Sequence, residues 1–409
     1  MPPATDTAHG PDAVFVWHPD ARLFDADGLQ VPKGVVPFTP RIADRPAGAA
    51  LASALEGQGA AFRIGGTGDV ADEPGMFETL TGGSLGTPRR IRRSQASWLA
   101  SFAVNAGLFG IGPGMRVGIL GRLSHSLALY GALEGVCLGA EVHLLDGLRP
   151  DRQALALVAR GISLVYATPA QLRLLIEDGE ALPELRQVVV GGAKLDARLR
   201  AALVRVAPGL KIHEFYGAAE ASFITLADPE AGSDTVGLPY PGVSLRILDA
   251  AGHRVLAGRD GEVWVKSPYL FQSYAGDDPG SACWRDGWLS VGEIGAMTAA
   301  GLILRGRAKR MLTVADRNVF PEEIEAYLAT LPGIARVAVL PVPDAARGHV
   351  LVAVAQGDCN AEAEILAAAR ARLGTLIAPK ALIWRKDWPV LASGKTDLLA
   401  LYDGVPEWR

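Results

Sequence analysis

Between residues 116 and 215, short apolar runs alternate with segments of helical spacing, and no other feature of the sequence constrains the fold as strongly. The apolar runs have the length and composition of buried strands, while the segments between them have the 3.6-residue spacing of helices. Strands that alternate with helices at this pitch predict an α/β fold with a parallel, doubly wound sheet. The predicted strands cover residues 116–120, 141–145, 163–167, 187–190 and 211–215, and the predicted helices cover residues 127–138, 154–160 and 169–177.

The regions on either side of this alternation predict further structural units. A chain of 409 residues is too long for a single hydrophobic core, so more than one domain is expected. After residue 216, short strands joined by Gly and Asp turns predict a small β-rich subdomain, and residues 321–385 predict a compact α+β unit. We therefore expect a large N-terminal domain over residues 1–306 and a small C-terminal domain over residues 307–409.

Composition and charge exclude several classes of protein. The net charge of −4 gives no general basic field for a nucleic acid. Three widely spaced cysteines, Cys137, Cys283 and Cys359, indicate neither a disulfide framework nor a zinc site, which fits a reducing compartment. No apolar run reaches the roughly 18 residues that a membrane-spanning helix needs, and residues 1–12 lack the pattern of a signal peptide. We expect a cytoplasmic protein without nucleic-acid or membrane partners; the oligomeric state stays open, a homodimer included.

Small residues and hydroxyl side chains crowd a short segment between a predicted strand at residues 76–80 and a predicted helix at residues 94–108. Glycine lets backbone N–H groups approach a ligand closely, and a guanidinium suits phosphate, so the segment predicts a loop that holds a polyphosphate. It is not a Walker loop, because no Gly-Lys-Ser/Thr closes it. A glycine-rich surface turn without a ligand is the alternative. The residues expected to hold the phosphates are Thr81, Gly82, Gly83, Ser84, Gly86 and Arg89.

Two further glycine turns follow predicted strands of the same sheet. In a doubly wound sheet ligands bind beyond the carboxyl ends of the strands, where both turns are expected to lie. An aromatic side chain at the second turn could stack on a planar base, and the carboxylate of Glu220 could hold a Mg²⁺ ion that bridges phosphates. The alternative is that both are ordinary turns between a strand and a helix. The residues expected to contact the nucleotide are Gly191, Gly192, Ala193, Phe215, Tyr216 and Gly217.

In their order along the chain, these motifs and several later ones resemble the adenylate-forming enzymes, a family that includes acyl- and aryl-CoA synthetases, firefly luciferase and the adenylation domains of peptide synthetases. The resemblance runs from about Phe77 to Leu398. Besides the phosphate loop and the two glycine turns, the matching segments are Leu123-Ser124-His125-Ser126, Gly237-Leu238-Pro239-Tyr240-Pro241-Gly242, Gly261-Glu262-Val263, residues 286–293, Gly306-Arg307-Ala308-Lys309, residues 318–325 and Pro389-Val390-Leu391-Ala392-Ser393-Gly394-Lys395.

The resemblance implies a ligase that uses ATP and Mg²⁺ to activate a small aryl or acyl carboxylate as acyl-AMP, and then transfers the acyl group to CoA. It implies that Lys395 bridges the carboxylate and the α-phosphate and that Glu220 binds the metal; these are the expected catalytic residues. It also implies that the carboxylate of Glu293 binds the ribose hydroxyls, and that the small α+β C-terminal domain is mobile and swings about Lys309. The remaining residues implied at the site are Arg307 at the nucleotide and His125, Ala218 and Gly237 in the acyl pocket.

Several residues leave alternatives open. Ala219 and Leu85 stand where the family has hydroxyl residues, so a degenerate protein that binds an acyl group or a nucleotide without turnover is one alternative. Another is an enzyme that loads the phosphopantetheine of an acyl carrier protein instead of CoA. His125 could be a packed polar residue, Lys309 an ordinary surface lysine, and residues 89–93 either a solvated basic turn or a patch for phosphates. A dinucleotide-binding oxidoreductase is disfavoured, because no predicted strand leads into Gly-x-Gly-x-x-Gly.

Overall fold

The computed structural model describes residue 10 and residues 12–81, 89–227, 235–276, 282–314, 317–344, 348–391, 396–402 and 405. Its strands are β1 (Arg22–Phe24), β2 (Gln30–Val31), β3 (Arg41–Ile42), β4 (Phe62–Ile64), β5 (Met76–Leu80), β6 (Arg90–Ser94), β7 (Arg116–Ile119), β8 (Glu141–Leu144), β9 (Leu164–Ala167), β10 (Gln187–Val190), β11 (Lys211–Ala218), β12 (Ser222–Leu226), β13 (Leu238–Pro239), β14 (Ser244–Leu248), β15 (Gly261–Lys266), β16 (Ser273–Tyr274), β17 (Cys283–Arg285), β18 (Trp288–Thr298), β19 (Gly301–Arg307), β20 (Leu312–Val314), β21 (Arg317–Val319), β22 (Ile334–Asp344), β23 (Gly348–Gly357) and β24 (Leu382–Trp384). Its helices are α1 (Ala47–Glu56), α2 (Gln95–Phe109), α3 (Ser126–Cys137), α4 (Pro150–Ala159), α5 (Pro169–Leu175), α6 (Ala197–Val206), α7 (Pro321–Leu328), α8 (Glu362–Leu373) and α9 (Leu398–Tyr402), with 3₁₀ turns at Ala308–Arg310 and Cys359–Ala361. Within these described ranges, none of the helices has both the length and the apolar character that crossing a bilayer requires.

The described residues form two compact units, and the first contains residues up to 244 together with residues 265–276. Its largest sheet has the strand order β13-β12-β11-β10-β9-β7-β8-β1-β2. The strands from β11 to β1 run parallel to one another. Helices α2 and α3 pack on one face of this sheet, and helices α4, α5 and α6 pack on the other. This arrangement confirms the doubly wound α/β sheet that the alternation predicts.

Local sequence signals set the ends of the helices in this unit. Helix α2 begins after Ser94, whose hydroxyl accepts a hydrogen bond from the N–H of Ser97 at 3.2 Å, and it ends at Gly110, which has a left-handed φ of 69°. Helix α5 begins with a reciprocal capping box between Thr168 and Gln171. The predicted helix at residues 154–160 is present as α4, which begins earlier because a proline occupies its first turn.

A second sheet of the first unit has the strand order β16-β6-β5-β4-β3. Aromatic rings pack this sheet against α2, with ring centroids between 4.6 and 6.4 Å apart. Strand β5 covers the residues predicted as a strand, and its last residue leads into the predicted phosphate loop. The packed rings therefore fix the strand from which that loop begins. They belong to Phe15, Phe62, Phe77, Trp98 and Phe102.

The second unit contains residues 245–264 and the described residues from 282 onward. One sheet has the strand order β14-β15-β18-β17, with β19 paired to β18, and forms its β-rich part. The rest comprises the hairpin β20–β21, the sheet β22-β23-β24, and helices α7 and α8, which share an apolar core with that sheet. The predicted β-rich subdomain and the predicted α+β unit are both present. The predicted domain boundary between residues 306 and 307 stays a prediction.

The structure differs from the sequence prediction at the end of β11. The sequence predicts that the strand ends at residue 215 and that a glycine turn follows it, but β11 continues to Ala218 and forms an antiparallel hairpin with β12. Pairing with β12 extends the strand, and Gly217 permits it, since a Cβ there would lie 2.2 Å from the carbonyl oxygen of Ser222. Residues 219–221 therefore form a hairpin tip and not the N-terminus of a helix.

A carboxyl group is buried in the core of the first unit, and no described cation pairs with it. Glu134 of α3 is fully buried, and its oxygens are hydrogen-bonded to the Tyr166 hydroxyl and to the side-chain amide of Asn105, the latter at 2.8 Å. Burial disfavours the charged form and raises the pKa of Glu134 to about 8. The protonated form of this carboxyl therefore predominates in the folded protein at pH 7.

We expect the free energy of unfolding to fall between pH 6 and pH 7 because of Glu134. In that range the folded chain keeps the proton, while the unfolded chain has the ordinary carboxyl pKa of 4.5 and has lost it. Such a difference lowers stability by about 1.4 kcal/mol per pH unit. The variant Glu134→Gln cannot titrate, so denaturant unfolding at the two pH values should show this extra loss in the natural chain only. Equal losses in both proteins would contradict a protonated Glu134.

Candidate active site

Glu220, the predicted metal ligand, lies at the tip of the β11–β12 hairpin. Two residues near β16 hold it. The N–H of Phe271 donates to the carbonyl oxygen of Glu220 at 2.7 Å, and the hydroxyl of Tyr274 donates to its carboxylate at 2.8 Å. The backbone and the half-buried carboxylate of Glu220 are therefore both fixed in position.

A buried arginine holds the same hairpin from the neighbouring sheet. Arg93 of β6 has no exposed surface, and its guanidinium donates hydrogen bonds to the carbonyl oxygens of Ala219 and Tyr269 and to the hydroxyl of Ser222, the last at 2.7 Å. Burial lowers the pKa of Arg93 to about 9, and the negative charge of Glu220 acts in the opposite direction. One cation thus fixes the hairpin tip and offsets the charge of the carboxylate that the tip carries.

Both sequence interpretations of residues 89–93, a solvated turn and a phosphate patch, are wrong for Arg93. Its side chain lies inside the protein, on the same side of β6 as that of Ile91, which is also fully buried. The sequence could have indicated that Arg93 is buried. In a strand that packs on one side, every second residue points inward, so Arg93 is expected on the same side as the apolar Ile91. The neighbouring arginines make this pattern hard to recognise, since arginine is rarely fully buried.

The base of the predicted phosphate loop lies beside Glu220. The N–H of Thr81 donates to the Arg89 carbonyl at 2.9 Å, and the N–H of Arg89 donates to the Thr81 hydroxyl at 3.2 Å, so the two ends of the loop are joined. The Arg89 guanidinium lies 5.6 Å from the ring centroid of Tyr274, the residue that holds Glu220. Tyr274 therefore lies between Arg89 and Glu220, and Thr81 is joined to Arg89. Four other predicted loop residues lie outside the described ranges: Gly82, Gly83, Ser84 and Gly86.

His125, predicted in the acyl pocket, lies at the start of α3 next to the end of β5. It forms an isolated parallel bridge with Leu80, whose N–H donates to the Ser124 carbonyl at 3.1 Å. The imidazole Nδ1 is buried and has no hydrogen-bond partner among the described residues. Burial lowers the pKa of His125, and the positive charge of Arg122 lowers it further. The structure therefore places a neutral imidazole close to the residue before Thr81.

The first glycine turn lies against the ring of Phe215. A Cβ at Gly191 would lie 2.4 Å from that ring, so only glycine fits there. The Phe215 ring also packs on Phe223, at a centroid distance of 4.2 Å, and a nucleotide contact by Phe215 stays a prediction. Of the other predicted residues here, Gly192 and Ala193 are exposed, Tyr216, Gly217 and Ala218 are half-buried along β11, and Gly237 is buried just before β13.

Two predicted nucleotide-binding residues of the second unit face each other across β18 and β19. Arg307 donates from Nε to the Oε1 atom of Glu293 at 3.0 Å. The Glu293 side chain is only 12% exposed, whereas that of Arg307 is 45% exposed. The ion pair holds the Glu293 carboxylate in one orientation.

Lys309, the predicted hinge, is exposed in a 3₁₀ turn between two anchored arginines. Arg307 on one side pairs with β18, as described above. Arg310 on the other side pairs with Glu322 and Glu325 of α7, at 3.3 and 2.7 Å. Glu323 of α7 also pairs with Arg305 of β19, at 3.1 Å, and the hinge role of Lys309 stays a prediction.

The predicted catalytic lysine, Lys395, lies outside the described residues, but the chain on both sides of it is described. Val390 and Thr396 form an antiparallel bridge, and the Trp388 indole donates to the Thr396 hydroxyl at 3.0 Å. The N–H of Asp397 donates to the Pro389 carbonyl at 3.0 Å. The segment that carries Lys395 thus begins and ends at paired residues.

Within the described ranges, no three His, Cys, Asp or Glu side chains form a preformed metal cluster. A Mg²⁺ ion that bridges substrate phosphates commonly takes only one or two protein carboxylates, and the remaining ligands come from phosphate and water. The fixed carboxylate of Glu220, beside the base of the predicted phosphate loop, fits this kind of site.

Two sequence families match the chain. The family described as AMP-binding enzyme matches residues 73–275, which include every predicted site residue of the first unit. The family described as AMP-binding enzyme C-terminal domain matches residues 323–395, which end at Lys395.

Curated relatives and solved structures agree with these matches. The chain is 33% identical over 332 residues to an uncharacterized acyl-CoA ligase, YhfT, of Bacillus subtilis (strain 168), covering 80% of this chain and 68% of the relative. It is 30% identical over 341 residues to an indoleacetate-CoA ligase of Aromatoleum aromaticum, covering 80% and 66%. The chain thus spans about two thirds of the length of these relatives. The amide bond synthetase McbA from Marinactinospora thermotolerans has the same fold, with a TM-score of 0.76 over 90% of each chain at 24% identity.

Proposed function

The chain belongs to the AMP-binding enzyme family of adenylate-forming enzymes, and we propose that it is an acid–thiol ligase that converts a small aryl or acyl carboxylate into its CoA thioester. In the first half-reaction a carboxylate oxygen attacks the α-phosphorus of ATP, the bond to the bridging oxygen breaks, and pyrophosphate leaves. In the second, the CoA thiol loses its proton and attacks the acyl carbon, and AMP leaves.

The fixed carboxylate of Glu220 is the observation that carries this proposal. Transfer at the α-phosphorus spreads negative charge over the phosphoryl oxygens, so positioning and cations provide most of the rate enhancement. Mg²⁺, when bound, supplies positive charge to these oxygens. Glu220 would hold the ion, since Tyr274 fixes its carboxylate and Arg93 fixes the hairpin tip that carries it before ATP arrives. The rate enhancement then requires no rearrangement of the hairpin tip.

We assign to the other site residues the roles that the family resemblance implies. Thr81 and Arg89 contact the phosphates from the two joined ends of the loop. His125 presents a neutral imidazole to the acyl group, and Glu293 accepts hydrogen bonds from the ribose hydroxyls. Lys395 donates to the carboxylate and the α-phosphate in the first half-reaction only. Residues 307–409 therefore swing about Lys309 between the two half-reactions.

The test is pyrophosphate and AMP release by the purified chain with ATP, Mg²⁺ and a panel of aryl, fatty and dicarboxylic acids. We expect pyrophosphate release to depend on both ATP and one class of acid, and AMP release to depend on CoA as well. If a phosphopantetheinylated carrier protein replaces CoA in releasing AMP, the acceptor is the carrier. If the acid and ATP bind without any pyrophosphate release, the chain is a binding protein, and the proposed activity is wrong.

Replacing Glu293 by alanine should weaken ATP binding about tenfold or more, because a hydrogen bond to a charged group contributes roughly 1.5–3 kcal/mol. Titration calorimetry measures this directly. Glu323→Ala is the matched control, since Glu323 also pairs with an arginine of the second unit, Arg305, at 3.1 Å. The control should bind ATP as the natural chain does. Unchanged affinity in a folded Glu293→Ala variant would reject the assignment to the ribose.

A further inference from the structure

The second unit contains a cavity of about 170 Å³ whose lining residues have no role in the proposed reaction. It lies on the sheet of β14, β15, β17 and β18, next to the turn that follows β14. Three arginines, two tryptophans and one acidic residue are among the residues that line it. These are Arg246, Arg254, Arg285, Trp264, Trp288 and Asp286, and we call this site the arginine cavity.

The tryptophans hold two of the guanidiniums in place. Trp264 and Trp288 are almost completely buried. The guanidinium carbon of Arg246 lies 3.8 Å from the ring centroid of Trp288, and that of Arg285 lies 5.4 Å from the ring centroid of Trp264. Stacking of a guanidinium on an indole leaves its edge, which carries the N–H donors, free to bind a ligand. The arginine cavity is therefore ordered before a ligand enters it.

The turn after β14 makes room for Arg285. Gly252 in this turn has a φ of +84°, and a Cβ added there would lie 2.7 Å from the Nη1 atom of Arg285. Any other residue would be strained by the backbone and would push the guanidinium away. The absence of a side chain at Gly252 thus leaves the space that the Arg285 guanidinium occupies.

Among the described residues, the positive charge of the arginine cavity is offset only in part. Among the described residues, no carboxylate lies within ion-pair distance of Arg246, Arg254 or Arg285, and their guanidiniums have no hydrogen-bond acceptor. The Nε atom of Arg246 is also buried, and it has no hydrogen-bond partner among the described residues. Asp286 contributes one negative charge without pairing. Other arginines of this unit, such as Arg305, do pair with acidic residues.

Three guanidiniums and one carboxylate leave about two positive charges, which a dianion neutralises and a monocarboxylate does not. A phosphoryl group also offers several oxygens to the forked donors of arginine. The volume suits a small anion, since one water molecule takes up roughly 30 Å³ in the liquid. We propose that the arginine cavity binds phosphate-bearing anions, either free phosphate or diphosphate, or the phosphomonoester of a larger molecule. This proposal does not depend on the reaction assigned above.

The test is titration calorimetry of the full chain with three probes: inorganic phosphate, pyrophosphate and a nucleoside 3′-monophosphate. A saturating nonhydrolysable ATP analogue fills the predicted nucleotide site, so that any further binding reports a second site. The test variant is Arg254→Gln with Arg285→Gln, because both side chains are exposed and their loss should not prevent folding. The control is Arg259→Gln, which removes an equally exposed charge of the same unit that does not line the cavity.

We expect at least one probe to bind the natural chain, the double variant to bind it at least tenfold more weakly, and the control to stay within twofold. Tighter binding of the inorganic anions identifies a free anion as the ligand, and tighter binding of the nucleotide identifies an ester. The proposal is overturned if no probe binds, if the double variant binds normally, or if Arg259→Gln loses as much affinity. Should the double variant not fold, each single variant must show part of the loss.

Discussion

Replacing Lys395 by alanine is expected to lower the rate of acyl-adenylate formation on the order of 10²–10³-fold, as for the loss of one preorganised donor at a developing negative charge. Thioester formation from a supplied acyl adenylate should be nearly unchanged, because Lys395 acts only in the first half-reaction. The paired residues at both ends of its segment limit the structural damage, since Val390 and Thr396 remain bridged whatever side chain occupies position 395. Pyrophosphate release and thioester formation, measured separately, give the two rates.

Lys386→Ala is the matched control for this prediction, because Lys386 is an exposed lysine of the same unit with no predicted role. It should leave both half-reactions unchanged. Equal losses in the two half-reactions of Lys395→Ala would reject the swing about Lys309. No loss in either would reject the role taken from the family resemblance.

Replacing Arg93 by methionine is expected to lower the free energy of unfolding by about 2–4 kcal/mol. The substitution nearly preserves volume, but it leaves the Ala219 carbonyl without its Arg93 donor and the Tyr269 carbonyl with only the Ser222 hydroxyl, at 3.4 Å. A buried unsatisfied group costs roughly 1–3 kcal/mol. Relief from burying a charge offsets part of this loss. Chemical denaturation measures the change. In the remaining folded protein, adenylation should also fall, because the hairpin tip that carries Glu220 loses its fixed position.

Arg92→Met provides the matched control on the same strand. Arg92 is half-buried and pairs with Glu73 at 3.2 Å, an ion pair whose side chains are 25% and 49% exposed. Such a pair contributes about 0–1 kcal/mol, so this variant should be nearly as stable as the natural chain. If the two variants lose the same stability, or if Arg93→Met keeps full adenylation, Arg93 does not position Glu220.

The sequence predicts the doubly wound sheet well because its signals are local. Ser94 and Gly110 mark the two ends of α2, and the apolar runs of β7, β9 and β10 are short and bounded by turn residues. The resemblance places Glu220 and the base of the phosphate loop in one site, and in the structure Tyr274 lies between Arg89 and Glu220. In the sheet and its helices, the residues that determine the structure are close to it in the chain.

The features that the sequence does not predict depend on distant residues. The extension of β11 requires β12 as a partner, and nothing in residues 216–218 themselves marks a strand. The burial of Arg93 depends on acceptors more than 120 positions away, at Ala219, Ser222 and Tyr269. The buried carboxyl of Glu134 is hydrogen-bonded by Tyr166 and Asn105, which belong to other elements. A polar residue in an apolar segment is a signal for such networks, but it does not identify the partners.

The order of strands in the large sheet determines which strand edge is exposed to pairing with another copy of this chain. Strand β8 would be an outermost strand of the parallel sheet if β1 did not pair with it through Leu23 and Val142, and β1 is covered in turn by β2. An uncovered apolar strand offers a row of backbone donors and acceptors to any neighbouring chain. Residues 22–31 therefore cover the edge of β8, and we expect that cleavage before residue 32 would expose this edge to strand addition by another copy of the chain.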